Sequence, residues 1–237
     1  MSGIFRFKQF SVDQTASAMK INTDGVVLGA IAYVDHPARI LDVGTGTGVI
    51  ALMLAQRFSG AVVDAIDIDP IAADLAKRNF TTSPFSDRLR CHQSALQRFE
   101  ADVPYDLIVS NPPFFIGALK NADIRKQVAR HTDLAFFDDL LERATQWLTP
   151  GGSLQLILPV TLADIIERRI INEHGLLIQG QVDVRSFTAQ EPIRRILAIG
   201  KRQMPHRFGE TELVIYESKG VYSQRYRELL RDFFLAF

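Results

Sequence analysis

Four consecutive residues, Asn111-Pro112-Pro113-Phe114, carry groups suited to holding a planar amine. An amino group conjugated to a ring or a carbonyl is a poor nucleophile, because its lone pair is delocalised. The Asn111 side-chain oxygen and the Pro112 carbonyl can each accept one N–H of such an amine, so that its nitrogen pyramidalises toward a methyl donor. Phe114 adds a stacking face for the flat group. The tetrapeptide therefore predicts methyl transfer to a planar amine, with these four residues as the catalytic set.

A glycine-rich turn is the second candidate site, with Gly44, Gly46 and Gly48 at alternate positions between an apolar run and a predicted helix. Such a turn lets the backbone approach a ligand closely and directs helix N–H groups at it. The dinucleotide pattern Gly-x-Gly-x-x-Gly requires glycine where this chain has Val49. A nucleotide-type ligand without a pyrophosphate is therefore favoured.

Carboxylates at the ends of apolar runs complete this second site. Asp67 and Asp69 lie about twenty residues beyond the turn, where a carboxylate can accept both ribose hydroxyls. Asp69 precedes Pro70 and fits a helix N-cap, so we assign ribose binding to Asp67 and capping to Asp69. Asp42 is costly at the end of an apolar run unless it has a partner. The ammonium of a methionine moiety, bound directly or through water, would be a suitable one.

The elements that must position these residues alternate between short apolar runs and amphipathic stretches. This alternation predicts an α/β fold, doubly wound around a mostly parallel sheet. Strands are predicted over residues 39–43, 61–68, 89–92, 106–110 and 153–158, and helices over 49–57, 71–80, 136–148 and 162–174, with a turn at 149–152. Residues 176–187 and 192–201 indicate an antiparallel pair, and the tail one more strand over 213–216 and a closing helix over 222–235. Thr23 and Asp24 offer an N-cap for a helix over 26–33.

The composition fits one folded domain in a reducing compartment. The 237 residues are 47% hydrophobic and carry zero formal net charge, enough for a complete core. The single cysteine, Cys91, excludes an intramolecular disulfide and is expected to be a buried, inert thiol. Residues 1–10 contain no apolar region typical of a leader and no stretch reaches membrane length, so we expect neither, and the five histidines have no ligand spacing. We expect a cytoplasmic, monomeric protein without a metal.

A basic segment follows the tetrapeptide and contains Lys120, Arg125, Lys126, Arg130 and His131 against the single acid Asp123. Two interpretations stay open at this point. The segment is either an ordinary solvated face or a surface for the phosphates that flank a target base.

Together these motifs resemble the class I S-adenosylmethionine-dependent methyltransferases that modify planar amines. The resemblance implies a Rossmann-like, seven-stranded sheet with one antiparallel strand, and S-adenosyl-L-methionine (AdoMet) as the methyl donor. The cofactor-binding residues that it implies are Asp42, Gly44, Gly46, Gly48, Asp67, Ile68, Ser94, Ala95 and Asn111. In this class an Asp often accepts the adenine amino group of the cofactor where this chain has Ser94, so we expect weaker cofactor affinity.

Segments near the two ends of the chain indicate which group of these methyltransferases the chain resembles. Residues 8–10, 19–30 and 222–237, with the triplet 129–131, are similar to the bacterial tRNA1(Val) adenine-N6 methyltransferases. This resemblance implies methylation of the adenosine beside the valine anticodon of a tRNA. It also implies one methyltransferase domain over residues 1–237, divided into an N-terminal extension (1–37), an AdoMet-dependent core (38–200) and a C-terminal strand and helix (201–237).

Three other functions remain open from the sequence. A protein-glutamine N5 methyltransferase uses the same amide-binding tetrapeptide, but would usually carry an additional N-terminal substrate domain. A non-catalytic AdoMet-binding or RNA-binding module is a second alternative, against which the intact acceptors at Asn111 and Pro112 argue. A DNA methyltransferase would normally need a target-recognition domain.

Overall fold

The computed structural model describes residues 3–15, 17, 19–112, 124–169, 174–204 and 208–237, with the backbone alone for 124–133. Its centre is an eight-stranded sheet with helices on both faces. In chain order the strands of this sheet are β3 (Arg39–Val43), β4 (Val62–Asp67), β5 (Leu89–Gln93), β6 (Tyr105–Ser110), β7 (Leu148–Leu158), β8 (Leu177–Arg185), β9 (Arg194–Gly200) and β10 (Glu212–Val214).

The spatial order of the strands is β10-β8-β9-β7-β6-β3-β4-β5, and only β9 runs antiparallel to its neighbours. The doubly wound α/β fold with one antiparallel strand is therefore confirmed. The sheet has eight strands rather than the expected seven, because the short strand β10 pairs with the outer edge of β8.

The described residues contain six α-helices, which flank the sheet: α1 (Thr23–Ile31), α2 (Val49–Arg57), α3 (Pro70–Thr81), α4 (Ile124–Trp147), α5 (Val160–Arg169) and α6 (Gln224–Leu230). Helix α4 begins twelve residues before the predicted start, within the basic segment. Helix α6 is shorter than predicted, and the last part of the predicted α5, residues 170–173, lies outside the described residues.

Asn22, and not Thr23 or Asp24, is the N-cap of α1, because its side chain accepts the backbone N–H of Gly25. Asp24 lies in the first turn of the helix and pairs with Arg194 on β9, with 2.7 Å between Oδ2 and Nε. Asp69 caps α3 by accepting the N–H of Ile71, and Pro70 follows it at the first helical position, as predicted.

Residues 149–152, predicted as a turn, lie within strand β7. Between the pairs Tyr105–Leu148 and Leu107–Ser153, β7 carries more residues than β6, so that the turn-forming residues make an irregularity in the ladder. The predicted turn residues therefore form a bulge-like irregularity inside one strand and do not end a helix before the strand begins.

The terminal segments pack on the same core as the central sheet. A hairpin of β1 (Ile4–Arg6) and β2 (Ser11–Asp13) contributes Phe7 and Phe10, whose rings stack at 4.5 Å between centroids. A second hairpin, β11 (Tyr216–Ser218) and β12 (Val221–Tyr222), precedes α6. Neither N-terminal strand was predicted, because each has only three residues.

Cys91 lies in β5 and is partly buried. Burial raises the pKa of its thiol to about 12. The thiol is therefore protonated at neutral pH and unreactive, as the sequence predicts.

Candidate active site

The candidate residues come together because four neighbouring parallel strands end at the same level. The pairing register aligns Ser110, Val43, Ile66 and His92 across β6, β3, β4 and β5. The residues that come next along each strand are Asn111, Gly44, Asp67 and Gln93. The hydroxyl of Ser110 donates to the carbonyl of Val43 at 2.8 Å and ties two of these strand ends together. The side chain of Asn111, the glycine-rich turn that begins at Gly44 and the carboxylate of Asp67 thus lie at one edge of the sheet. Parallel α/β folds bind ligands at this edge.

Asp67 holds the turn after β3 through hydrogen bonds from the backbone. Its Oδ2 accepts the N–H of Gly46 at 2.8 Å, and its Oδ1 accepts the N–H of Asp69 at 2.9 Å. Each carboxylate oxygen has a further acceptor position, so the side chain can still accept hydroxyl groups of a ligand.

Glycine is required at the three positions of the turn for two different structural reasons. All three have positive φ, of 72° for Gly44, 57° for Gly46 and 83° for Gly48. A Cβ atom at Gly44 or Gly46 would meet no atom within 4 Å, whereas one at Gly48 would lie 2.5 Å from Cε1 of Phe80. Gly44 and Gly46 therefore leave the backbone accessible, and Gly48 permits α2 to pack against α3.

Asp42 lies beneath the turn and is fully buried. Its Oδ2 accepts the Thr45 hydroxyl at 2.7 Å, and its Oδ1 has no hydrogen-bond partner within the described part of the chain. Burial raises the pKa of the carboxyl to about 7, and nearby Asp67 adds to the rise, while the Thr45 hydroxyl opposes it. Asp42 does not line the cavity, so a contact with an ammonium would pass through water, and the hydrogen bond to Thr45 adds a positioning role.

Ser94, the residue after β5, stands next to Asp67, and its N–H donates to the Asp67 carbonyl at 2.9 Å. Its hydroxyl donates to the Ala95 carbonyl at 3.0 Å and keeps its acceptor positions. Ile68 is 71% exposed, unusual for an isoleucine beside a core strand. Both Ser94 and Ile68 line the cavity, whereas Ala95 and Gly48 do not.

A single cavity of about 560 Å³ connects these groups. Its volume falls within the usual range for small-molecule sites. Gly44, Asp67 and Ser94 line one part of it, and Asn111 and Pro112 line another. A ligand at the turn and a group at the asparagine would therefore share one cavity.

Pro113 and Phe114, the other half of the tetrapeptide, lie outside the described residues. The same is true of Lys120 and of the side chains of Arg125, Lys126, Arg130 and His131. The stacking role of Phe114 and the contacts of the basic segment stay predictions.

Several residues that line the cavity had no predicted role. Met19, Ile21 and Asn22 come from the segment before α1, Leu96 follows β5, and Phe136 and Phe137 come from α4. An asparagine directly before an apolar helix is itself a capping signal, and it marks Asn22 in the sequence. The apolar residues could not be found in this way, because only the tertiary fold brings them to the cavity.

Within the described ranges, no group of three or more His, Cys, Asp or Glu side chains is arranged to hold a metal ion. The same ranges contain no helix with the length and hydropathy that crossing a membrane requires.

Comparison of the sequence with known proteins gives consistent results. Residues 26–164 match the methyltransferase small domain family. A tRNA1(Val) (adenine(37)-N6)-methyltransferase from Pedobacter heparinus is 48% identical over 237 residues, which cover both chains completely. A protein of the same name from Parabacteroides distasonis is 40% identical, over 98% of this chain and 97% of its own.

Solved structures agree on the fold. A predicted O-methyltransferase from Agrobacterium tumefaciens has a TM-score of 0.64 at 20% identity, over 89% of this chain and 96% of its own. A ribosomal protein L11 methylase from Lactobacillus delbrueckii subsp. bulgaricus has a TM-score of 0.57 at 21% identity, over 81% and 84% of the two chains. At these identities the likeness shows the fold alone.

Proposed function

The chain belongs to the family of the tRNA1(Val) (adenine(37)-N6)-methyltransferases, and from this premise we propose that it methylates the N6 amine of an adenosine in tRNA. The proposed substrate is adenosine 37, beside the anticodon of tRNA1(Val), as the names of the relatives state for those proteins. The proposed methyl donor is S-adenosyl-L-methionine.

The residues at the ends of β3, β4 and β5 suit this donor. Gly44 and Gly46 leave space that a side chain would otherwise fill, so the backbone can approach the methionine part of the donor. Asp67 keeps acceptor positions for the two ribose hydroxyls. The exposed side chain of Ile68 offers an apolar face for the adenine ring, and Ser94 offers its hydroxyl to the adenine amino group.

Asp42 acts through Thr45 in this proposal. Its buried carboxyl fixes the Thr45 hydroxyl within the turn, so it shapes the site without touching the ligand. Gly48 likewise acts by allowing close helix packing, and Ala95 by accepting the Ser94 hydroxyl.

The bound donor supplies an electrophilic methyl group on a sulfonium. The chain's own contribution is to hold the target amine in line with that methyl. The Asn111 side-chain oxygen and the Pro112 carbonyl each accept one N–H of the amine, which draws the nitrogen lone pair out of the ring. The same two oxygens stabilise the positive charge that develops on nitrogen, and the extra proton then leaves to water.

The target adenosine must leave its stack in the RNA to reach these oxygens. A base flipped into the cavity would stack on Phe114, as the tetrapeptide predicts, with Pro113 fixing the path of the chain between them. The apolar side chains of Phe136 and Phe137 add to the walls that exclude water.

One observation supports the proposal above all others. Gly44, Asp67 and Asn111 are neighbours along one row of the sheet and line the same cavity. A methyl donor held by the first two residues would therefore face an amine held by the third. A non-catalytic AdoMet-binding module would not need this alignment.

The test is incubation of the pure protein with methyl-labelled AdoMet and unmodified total tRNA, with DNA and release factor in parallel, followed by nucleoside and peptide mass analysis. We expect N6-methyladenosine in tRNA alone. Asn111→Ala should lower the rate of its formation about a hundredfold, to a residual rate that a single-turnover assay still measures, while AdoMet binding stays within about threefold of wild type, because a lost transition-state contact lowers turnover and not ground-state affinity. Label in glutamine would indicate a protein-glutamine methyltransferase, and label in DNA a DNA methyltransferase. The absence of label would favour a non-catalytic binding module.

Further properties follow as proposals. The cytoplasm is the expected compartment for a tRNA-modifying enzyme, and the chain is expected to act as a monomer with the three-part domain organisation given above.

The basic segment is proposed to contact tRNA phosphates. Arg125→Glu with Lys126→Glu should then weaken tRNA binding and reduce its salt dependence, and unchanged binding would leave the segment as a solvated face.

A further inference from the structure

The side chain of Asn22 connects the N-terminus of α1 to Asn111, the residue proposed to hold the amine. Its Oδ1 accepts the backbone N–H of Gly25 at 2.9 Å and faces Nδ2 of Asn111 at 3.5 Å. Its Nδ2 lies 3.8 Å from the sulfur of Met19. Asn22 thus contacts the catalytic asparagine across 89 residues of sequence.

The contact with Gly25 determines which way both amides point. A backbone N–H can only donate, so the Asn22 atom that faces Gly25 must be its oxygen. The same oxygen faces Asn111, which must therefore turn its NH2 group toward Asn22. The Asn111 oxygen is left on the opposite side of the amide, free to accept a hydrogen bond.

From this geometry we propose that Asn22 is a positioning residue that holds the Asn111 amide in the orientation needed to accept the substrate amine. The inference rests on the proposed function, in which the Asn111 oxygen grips that amine. A reversed amide would present N–H groups to another N–H donor and could not activate it. Asn22 disfavours this reversal because it would bring two oxygens together.

The position of Asn22 is itself fixed by the fold. Close to Asn22, an ion pair between Asp24 and Arg194 joins the first turn of α1 to β9, with 2.7 Å between Asp24 Oδ2 and Arg194 Nε. Gly25 is buried, and a Cβ there would lie 3.5 Å from both the Asn22 oxygen and the Asn111 nitrogen. The N-cap therefore comes from a rigid helix end close to Asn111.

Variants at position 22 can separate helix capping from amide orientation. Serine is as good an N-cap as asparagine, but its shorter side chain cannot maintain the contact with Asn111. Asn22→Ser should lower the single-turnover rate of methyl transfer about three- to tenfold, the range expected for one hydrogen bond. The melting temperature and AdoMet affinity should stay near wild type. Asn22→Asp keeps an acceptor for both neighbours and should recover most of the rate at saturating tRNA.

A neighbouring control and a double variant test whether the effect passes through Asn111. Thr23 is exposed in the same helical turn, and Thr23→Ala should leave the rate unchanged. In the Asn111→Ala background, Asn22→Ser should cause no further loss, because the amide that it orients is gone. The proposal would be overturned if the rate of the double variant fell by the product of the two single-variant reductions. A wild-type rate for Asn22→Ser would also overturn it.

A readout without catalysis separates this inference from the proposed function. The side-chain amide signals of Asn111 can be assigned by NMR as the pair that disappears in Asn111→Ala. Asn22→Ser should shift that pair, and Thr23→Ala should not. An unchanged pair would overturn the orienting role even in an active enzyme, while a shifted pair in a protein that methylates no tRNA would overturn the proposed function alone.

Discussion

The Oδ2 atom of Asp67 lies 2.8 Å from the backbone nitrogen of Gly46, so the carboxylate that ends β4 fixes the turn that follows β3. The second oxygen of the same carboxylate holds the N–H of Asp69, at the start of α3. A single side chain therefore sets the relative position of two backbone segments that border the cavity. Its replacement should affect the proposed cofactor site through the backbone as well as through loss of the proposed ribose contact.

Asp67→Asn should weaken AdoMet binding at least tenfold. An amide can offer an oxygen to only one of the two backbone N–H groups, and its own NH2 then faces the other, so the turn shifts while a charge-assisted ribose contact is lost. Isothermal titration calorimetry measures the effect. Asp74→Asn, which removes an exposed ion-pair partner on α3, is the matched control and should bind as wild type does. Equal affinities for both variants would remove Asp67 from the cofactor site.

Asp42→Asn should change how stability depends on pH. The folded pKa of about 7 lies above the unfolded value of about 3.9, so the folded state retains a proton that the unfolded chain releases. The free energy of unfolding therefore falls in wild type as the pH rises from about 4 through about 7, by up to about 4 kcal/mol from this group.

Asparagine does not titrate, so the stability of the Asp42→Asn variant relative to wild type should increase between pH 5 and pH 8. Urea unfolding at both pH values measures the difference. Asp35→Asn, at an exposed site, should show no such change. A pH profile that is parallel for wild type and Asp42→Asn would mean that Asp42 is ionised in the folded protein throughout.

Gly48→Ala should destabilise the fold by about 2–4 kcal/mol. Alanine is unfavourable at φ of 83°, and its Cβ would approach Phe80 to 2.5 Å, well inside contact distance. Gly60→Ala is the control, because a Cβ there would meet no atom within 4 Å and Gly60 has no positive φ. The two variants are compared by chemical denaturation, and equal stabilities would contradict the steric argument.

Ser94→Asp should tighten AdoMet binding about fivefold, and Ser94→Ala should weaken it by a smaller factor. A carboxylate can accept the adenine amino group with charge assistance, which roughly doubles the strength of a hydrogen bond. The gain should disappear with a cofactor analogue whose 6-amino group is replaced by oxygen. The same affinity for serine, alanine and aspartate at position 94 would show that the residue does not reach the adenine.

The central part of the fold was predictable because its strands, turns and caps are determined by residues close together in the sequence. Strands β3 and β6 are apolar runs that end at polar or turn-forming residues, and the parallel arrangement then places Gly44, Asp67 and Asn111 at one edge. Asp69 was identified as a cap from the proline that follows it. These features depend on neighbours within a few positions of the chain.

The remaining features depend on contacts between distant segments. The contact of Asn22 with Asn111 spans 89 residues, and no local pattern indicates it. The turn predicted over 149–152 lies inside β7, where the pairing with β6 passes from Leu148 directly to Ser153 and the pairing with β9 begins only at Leu154. Asp42 was predicted to contact a ligand directly or through water, and its complete burial, a property of the packed turn and not of the sequence around it, leaves the contact through water as the prediction.

The protonated thiol of Cys91 makes this chain a convenient host for site-specific labels. Because it is the sole cysteine and stays protonated at neutral pH, a second cysteine placed at an exposed position would react far faster with a maleimide. Met19 is 47% exposed at the rim of the cavity, so Met19→Cys would accept a fluorophore there without replacing Cys91. Such a probe would report in real time when a nucleic acid covers the cavity.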